Sequence, residues 1–178
     1  CCPGQRVTLL VHDWGCLFGY QFALRHPELV SRIVGVDIGD AGSKAHQAEL
    51  GVKAKLMVLG YQLWLATAWR IGGALGDRMA RRMAAAMRCP AEAQSIGAQM
   101  GYPYAVQWFG VKGGFGAVQP FEPAVPMLYL YGQRKPFMFH SQAWIEALAR
   151  RPGSRVLGLR TGHWVMLNQP QEFNAEVA

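Results

Sequence analysis

The stretch Arg6-Val7-Thr8-Leu9-Leu10-Val11-His12-Asp13-Trp14-Gly15-Cys16 constrains this chain more than any other. A short apolar, β-branched run delivers a carboxylate into a tight turn, and an apolar helical segment, Leu17 to Leu24, follows at once. This reads as strand, sharp elbow and helix, with Asp13 at the apex. Such a turn exposes its apex side chain at the carboxyl edge of a parallel sheet, where open α/β sheets place their ligands. Asp13 is therefore expected to carry chemistry, the alternative being a solvent-exposed loop carboxylate.

Downstream, Leu17, Tyr20, Ala23 and Leu24 recur at helical spacing, and His26-Pro27-Glu28-Leu29-Val30 closes that helix. Ile33-Val34-Gly35-Val36-Asp37-Ile38 reads as a second buried strand, ending at a carboxylate. Two strands joined by a helix predict a right-handed βαβ unit with a parallel pair. From Lys44 to about Gln119 the pattern turns helical, rich in Ala, Leu, Met and Trp, with breaks at Gly72-Gly73, Cys89-Pro90 and Gly113-Gly114. That is too long for a single crossover, so an inserted helical cap is expected rather than an ordinary pair of crossover helices. Strand character returns over 125–132, and Gln142 to Arg150 is an amphipathic helix. Ser154 to Leu159 is a last strand, and Thr161-Gly162-His163-Trp164 leads to a closing helix from Pro170 to Val177. The expected organisation is a core over 1–43, a helical cap over 44–119 and a core over 120–178, an α/β layered architecture with a parallel sheet.

A length of 178 residues suits one domain with an insertion. The net charge of +7 raises nucleic-acid binding, but the basic residues are dispersed, and the knots at Arg78 to Arg88 and Arg150-Arg151 lack an aromatic stripe. A solvated basic face is the better reading, and no nucleic-acid partner is expected. Cysteines at positions 1, 2, 16 and 89 show no CxxC spacing and no paired histidines, so neither a zinc site nor a disulfide framework is expected. That usage fits a reducing, cytoplasmic setting. The start, Cys1-Cys2-Pro3-Gly4, lacks the charged and apolar regions of a signal peptide. The longest apolar stretch, Leu56 to Trp69, contains Gly60, Gln62 and Thr67 and falls short of the roughly 20 residues a membrane span needs.

These residues resemble the α/β-hydrolase fold, in its carboxylate-nucleophile branch of epoxide hydrolases and haloalkane dehalogenases. The matching pieces are His12-Asp13-Trp14-Gly15 as elbow, Ala23 to Val30 after it, helices between two core strands, and Gly162-His163-Trp164 with Gln169-Pro170 behind it. The resemblance runs the length of the chain. The family usually carries about four strands and an HG-type loop before the elbow strand, so this chain resembles its carboxyl-terminal portion. Half of the sheet and one oxyanion or leaving-group donor would belong to the part not matched, and the elbow strand would then present a hydrophobic edge. Many relatives place the triad acid after the strand written here as Met127 to Gly132. Here that point reads Gln133-Arg134-Lys135-Pro136, with no carboxylate before Glu146. Some haloalkane dehalogenases take the acid from the end of the strand after the nucleophile helix, where this chain has Asp37, with Asp40 as the second choice.

A carboxylate nucleophile suits an sp³ carbon bearing a strained epoxide oxygen or a halide. The resemblance implies attack by Asp13 to give an alkyl-enzyme ester, then deprotonation of a water by His163, with Asp37 orienting the imidazole. The backbone N–H of Trp14 would hold the oxyanion. Epoxide hydrolases of this type use tyrosines of the cap to donate to the leaving oxygen, for which Tyr102, Tyr104 and Tyr61 are available. Dehalogenases use an indole beside the nucleophile, for which Trp14 is present. The expected substrate is small and apolar, no cofactor or metal is called for, and a homo-oligomer is left open. A lipase- or esterase-like enzyme would need Ser or Cys at the apex. A non-catalytic hydrolase-fold protein that binds a ligand is the remaining alternative. Cys16 competes as nucleophile, but its flanks Trp14 and Phe18 are too bulky for a tight elbow, so a small buried residue is expected there. Strand alternation assigns His12 a structural role, and His140 is assigned to packing.

Overall fold

The computed structural model describes residues 4–178, so Cys1 and Cys2, on which the cysteine and leader readings partly rest, lie outside the described residues. The chain divides into two compact units, one made of 1–50 and 119–178, the other of 51–118.

The first unit is built on a parallel sheet of β1 (Val7–His12), β2 (Val30–Val36), β3 (Met127–Gly132) and β4 (Arg155–Leu159), in spatial order β1-β2-β3-β4. Helix α1 (Trp14–Arg25) joins the first two strands, and α2 (Lys44–Glu49) follows the second. The second unit, described below, contributes α3 to α5. After it come α6 (Gln142–Ala149), α7 (Val165–Asn168) and α8 (Pro170–Val177). The second strand spans 30–36 rather than 33–38, because Val30 already pairs with Val7 and Asp37 leaves the ladder at φ 69°.

Strand side chains alternate between two cores, as the period of two requires. Ile33, Met127 and Tyr129 pack on one face with Cys16, Tyr20 and Ala23 of α1 and Leu148 of α6. Val34, Val36 and Leu130 pack on the other face with Val165 of α7 and Phe173 of α8. Gly35 lets Tyr20 cross the sheet, since a Cβ there would lie 2.2 Å from the Tyr20 hydroxyl, which donates to Ile38 O at 2.7 Å. Burying alternating apolar residues on both faces explains why these short strands read as nearly continuous hydrophobic runs.

The second unit holds α3 (Val52–Ile71), α4 (Gly73–Ala86) and α5 (Tyr102–Phe109). Gly72 and Gly73, both at positive φ, turn α3 into α4. The helices meet through small residues: Ala66, Ala68, Ala80, Ala98 and Ala105 are buried, and Gly76 brings α4 against the Ala68 carbonyl. Polar ties reinforce the contact. The Trp64 indole donates to Met79 O at 2.9 Å, and the Ala98 N–H donates to Asp77 Oδ1 at 2.8 Å. No helix among the described residues is long and apolar enough to cross a membrane.

Candidate active site

Asp13 stands at the apex of the elbow between β1 and α1, with φ 52° and ψ −130°. A non-glycine residue there stores about 1–3 kcal/mol of backbone strain, sustained by the packing on both sides. Gly19 supplies that packing, because a Cβ would lie 2.7 Å from Val11 Cγ1, so α1 lies close against the strand it follows. The Cys16 N–H donates to Asp13 O at 2.9 Å and closes the turn. The Asp13 side chain remains 42% exposed, accessible to a reactant.

Asp37 is the second carboxylate on a strained backbone, at φ 69° just past the end of β2. Its backbone N–H donates to Leu130 O at 2.8 Å, and its side chain is wholly buried. Oδ2 faces His163 Nδ1 at 2.6 Å, while Oδ1 accepts from the Gly132 N–H at 2.9 Å and from the Lys135 ammonium. Asp40 lies elsewhere: its carboxylate accepts from Ser43 Oγ and from the backbone and hydroxyl of Ser141, knitting loops together.

His163 joins the two acids. Its Nε2 lies 3.4 Å from Asp13 Oδ2 on the side opposite the Asp37 contact. The loop that carries it passes directly over the end of β3, where a Cβ on Gly132 would lie 2.0 Å from Gly162 O. Only glycine permits that approach. Burial disfavours the charged imidazolium, but hydrogen bonding to Asp13 and Asp37 and the charges of both carboxylates outweigh it, raising the His163 pKa to about 9. At neutral pH the ring is therefore a cation held between two carboxylates.

His12 belongs to this cluster, a contact that strand alternation does not anticipate. Its ring centroid lies 4.4 Å from that of His163, and its Nε2 lies 3.2 Å from His163 O. Alternation fails here because the chain turns to positive φ at the next residue. Burial first, and then the charge of His163, lower the His12 pKa, so the neutral ring donates to that carbonyl.

Trp14 opens α1, and its ring stacks on Phe18 with centroids 6.4 Å apart. Cys16 is fully buried, and burial pushes its thiol pKa up to about 12, so it is held protonated and unreactive. His140 is buried against Tyr129, whose hydroxyl shares a hydrogen bond with Nδ1 at 2.8 Å. Tyr102 and Tyr104 lie on α5 of the helical unit, where the Tyr104 ring meets the Tyr61 ring edge-on at 5.8 Å. Among the described residues, no group of His, Cys, Asp and Glu is arranged to hold a metal ion.

No family model matches the sequence, and no curated protein matches it significantly. Solved structures do match in fold. A mutant epoxide hydrolase from Bacillus megaterium, in complex with its product, superposes with TM-score 0.66 at 19% identity, covering 97% of this chain and 68% of that one. A haloalkane dehalogenase variant from Bradyrhizobium elkanii gives TM-score 0.53 at 16% identity, covering 97% and 65% respectively. A marine microorganism esterase gives 0.58 at 14%, covering 97% and 69%. This chain has the α/β-hydrolase fold, its four-stranded parallel sheet and helices aligning with about two thirds of the length of those proteins.

Proposed function

We propose that this α/β-hydrolase chain opens epoxides through an ester on Asp13 that a His163-activated water then hydrolyses. The observation that carries the reading is the placement of one imidazole between two carboxylates, one partly exposed on a strained apex and one buried. A buried acid suits orientation and charge balance, and an exposed one suits attack.

In the first step an Asp13 oxygen attacks an epoxide carbon, forming a C–O ester bond while the epoxide C–O bond breaks. The departing oxygen takes up a proton. On the resemblance stated above, that proton is assigned to one of Tyr102 and Tyr104, the other donating a hydrogen bond, an assignment that Y102F and Y104F test. Esterification neutralises Asp13 and so removes one of the two anions that hold the proton on His163. The ring then releases its proton to solvent, from which the donor of the first step is reprotonated, and becomes a general base. It takes a proton from water as the hydroxide adds to the ester carbonyl. The Trp14 N–H, at the start of α1, is assigned to the resulting oxyanion. Collapse breaks the bond between the ester carbonyl carbon and the substrate oxygen, which takes the proton from His163 to give the diol. The proton left on the Asp13 carboxyl passes to His163, restoring the carboxylate and the imidazolium.

Dehalogenation is the second reading. It is favoured by the acid at the end of β2 and by the indole beside Asp13, and it uses the same ester. Acyl transfer is disfavoured, because the apex is a carboxylate and the one thiol nearby is buried and protonated.

A single-turnover experiment in ¹⁸O-water, with an aryl epoxide and a 1-bromoalkane as parallel substrates, tests the proposal. The expected result is a mass adduct on the peptide containing Asp13 with the epoxide, followed by one ¹⁸O in the Asp13 carboxylate and none in the first-turnover diol. Adduct with the bromoalkane alone would select dehalogenation. Absence of any adduct from folded protein would overturn both.

A further inference from the structure

Lys135 is the buried cation of this site that the proposed reaction has not yet used. Its ammonium binds Asp37 Oδ1, and the two side chains are 5% and 0% exposed, so neither partner is met by bulk water. The segment that carries it is fixed to the histidine loop: the Gln133 N–H donates to Leu159 O at 2.8 Å, and the Arg134 N–H donates to Thr161 O at 2.8 Å. The ammonium also lies 5.2 Å from the centroid of the Phe139 ring, which in turn lies 6.0 Å from that of His163. Lys135 and His163 are thus two cations competing for one carboxylate, each on its own oxygen.

We propose that Lys135 is a positioning residue that neutralises Asp37, so that His163 can give up its proton once Asp13 is esterified. This inference rests on the reading of Asp13 as a nucleophile. The charges that face His163 are Asp13 beyond β1, Asp37 beyond β2 and, through Asp37, Lys135 beyond β3. His12 beside it is a neutral donor, and His140 is kept neutral by burial and then by the charge of Lys135. In the resting site two carboxylates balance two cations, Lys135 and the imidazolium. In the ester only Asp37 remains anionic, and Lys135 balances it, so His163 is neutral and able to accept a proton from water. Without Lys135, the lone buried carboxylate would hold the proton on His163 and stall the second step.

The test reads the His163 proton directly. Asp13→Asn stands in for the neutral ester, and ¹⁵N NMR titration of His163 is compared in D13N, D13N/K135Q and D13N/K135R. The expected result is a His163 pKa about one unit or more higher in D13N/K135Q than in D13N, with D13N/K135R close to D13N. With Asp13 intact, K135Q is expected to accumulate ester and to move the pH dependence of its hydrolysis upward. A His163 pKa in D13N/K135Q equal to that in D13N, or an equal rise in the Arg variant, would overturn the proposal. If neither K135Q nor K135M folds, Lys135 serves stability alone and the proposal also fails. Because the NMR shift needs no turnover, failure to form any ester would sink the nucleophile reading while leaving the measured coupling in place. Ester formation without the shift would sink only the role of Lys135.

Discussion

His163 Nδ1 lies 2.6 Å from Asp37 Oδ2, and Asp37 is completely buried. A carboxylate at that depth serves a backbone N–H, an ammonium and an imidazole together, so removing its charge leaves buried donors and a buried cation unmatched. Asp37→Asn is expected to lower the His163 pKa from about 9 and to destabilise the protein by about 3–5 kcal/mol. Asp40→Asn loses bonds from Ser43 and Ser141, costing about 1–2 kcal/mol, but leaves the His163 titration where it is. NMR titration and urea unfolding of the two variants check this. Equal shifts of His163 in both would remove Asp37 from its assigned position.

Asp13→Asn is expected to lower the His163 pKa from about 9 toward its ordinary value by at least about one unit, because the anion next to Nε2 is replaced by a neutral amide. The same ¹⁵N titration reads it. An unchanged value would mean that Asp13 does not hold the imidazolium proton.

Two histidines set opposite limits on stability against pH. The His163 pKa is raised from 6.5 to about 9, so its contribution is complete below pH 6.5 and is lost as pH rises through about 9. The His140 pKa is lowered from 6.5 to about 4, chiefly by burial and then by Lys135, so its contribution is present above pH 6.5 and is lost as pH falls through about 4. Each amounts to about 3 kcal/mol at its limit. Urea unfolding from pH 4 to 10 should show both losses. His163→Gln should flatten the alkaline side alone, and His140→Asn the acid side alone.

Two glycines are expected to respond in opposite ways to alanine. At Gly132 a Cβ would lie 2.0 Å from Gly162 O and 2.6 Å from Thr161 O, both backbone atoms that cannot step aside. Gly132→Ala should cost about 1–3 kcal/mol and displace His163 from Asp37. Gly60, within α3, has nothing within 4 Å of a Cβ. Gly60→Ala should stabilise by about 0.5–1 kcal/mol. Thermal unfolding distinguishes the two.

The sheet was legible in the sequence because its signals are local. Apolar β-branched runs, one elbow and the turn residues around them specify four strands and their helices within short windows. The helix α7 was not legible, because four residues are too few to show a period. Of the site, Asp13 was read from the elbow at the end of its strand, which is where a parallel sheet gathers its side chains, while Asp37 and His163 took their roles from the family resemblance. His12 was read as structural, and its bond to the His163 carbonyl is of that kind; its closeness to the His163 ring was not legible, because alternation describes an unbroken strand and the backbone reverses its φ at Asp13. Lys135 left a faint trace. A cation stands where relatives of the fold place an acid, but no local pattern says that it reaches across 98 positions to Asp37.

The site draws its groups from separate crossings of the chain, with His12 and His163 joined across 151 positions. Contacts of such separation close late, since loop-closure entropy is met before they form. During refolding, the recovery of the displaced His163 titration should therefore lag the return of helical signal, making that one imidazole a clock for the completion of the whole sheet.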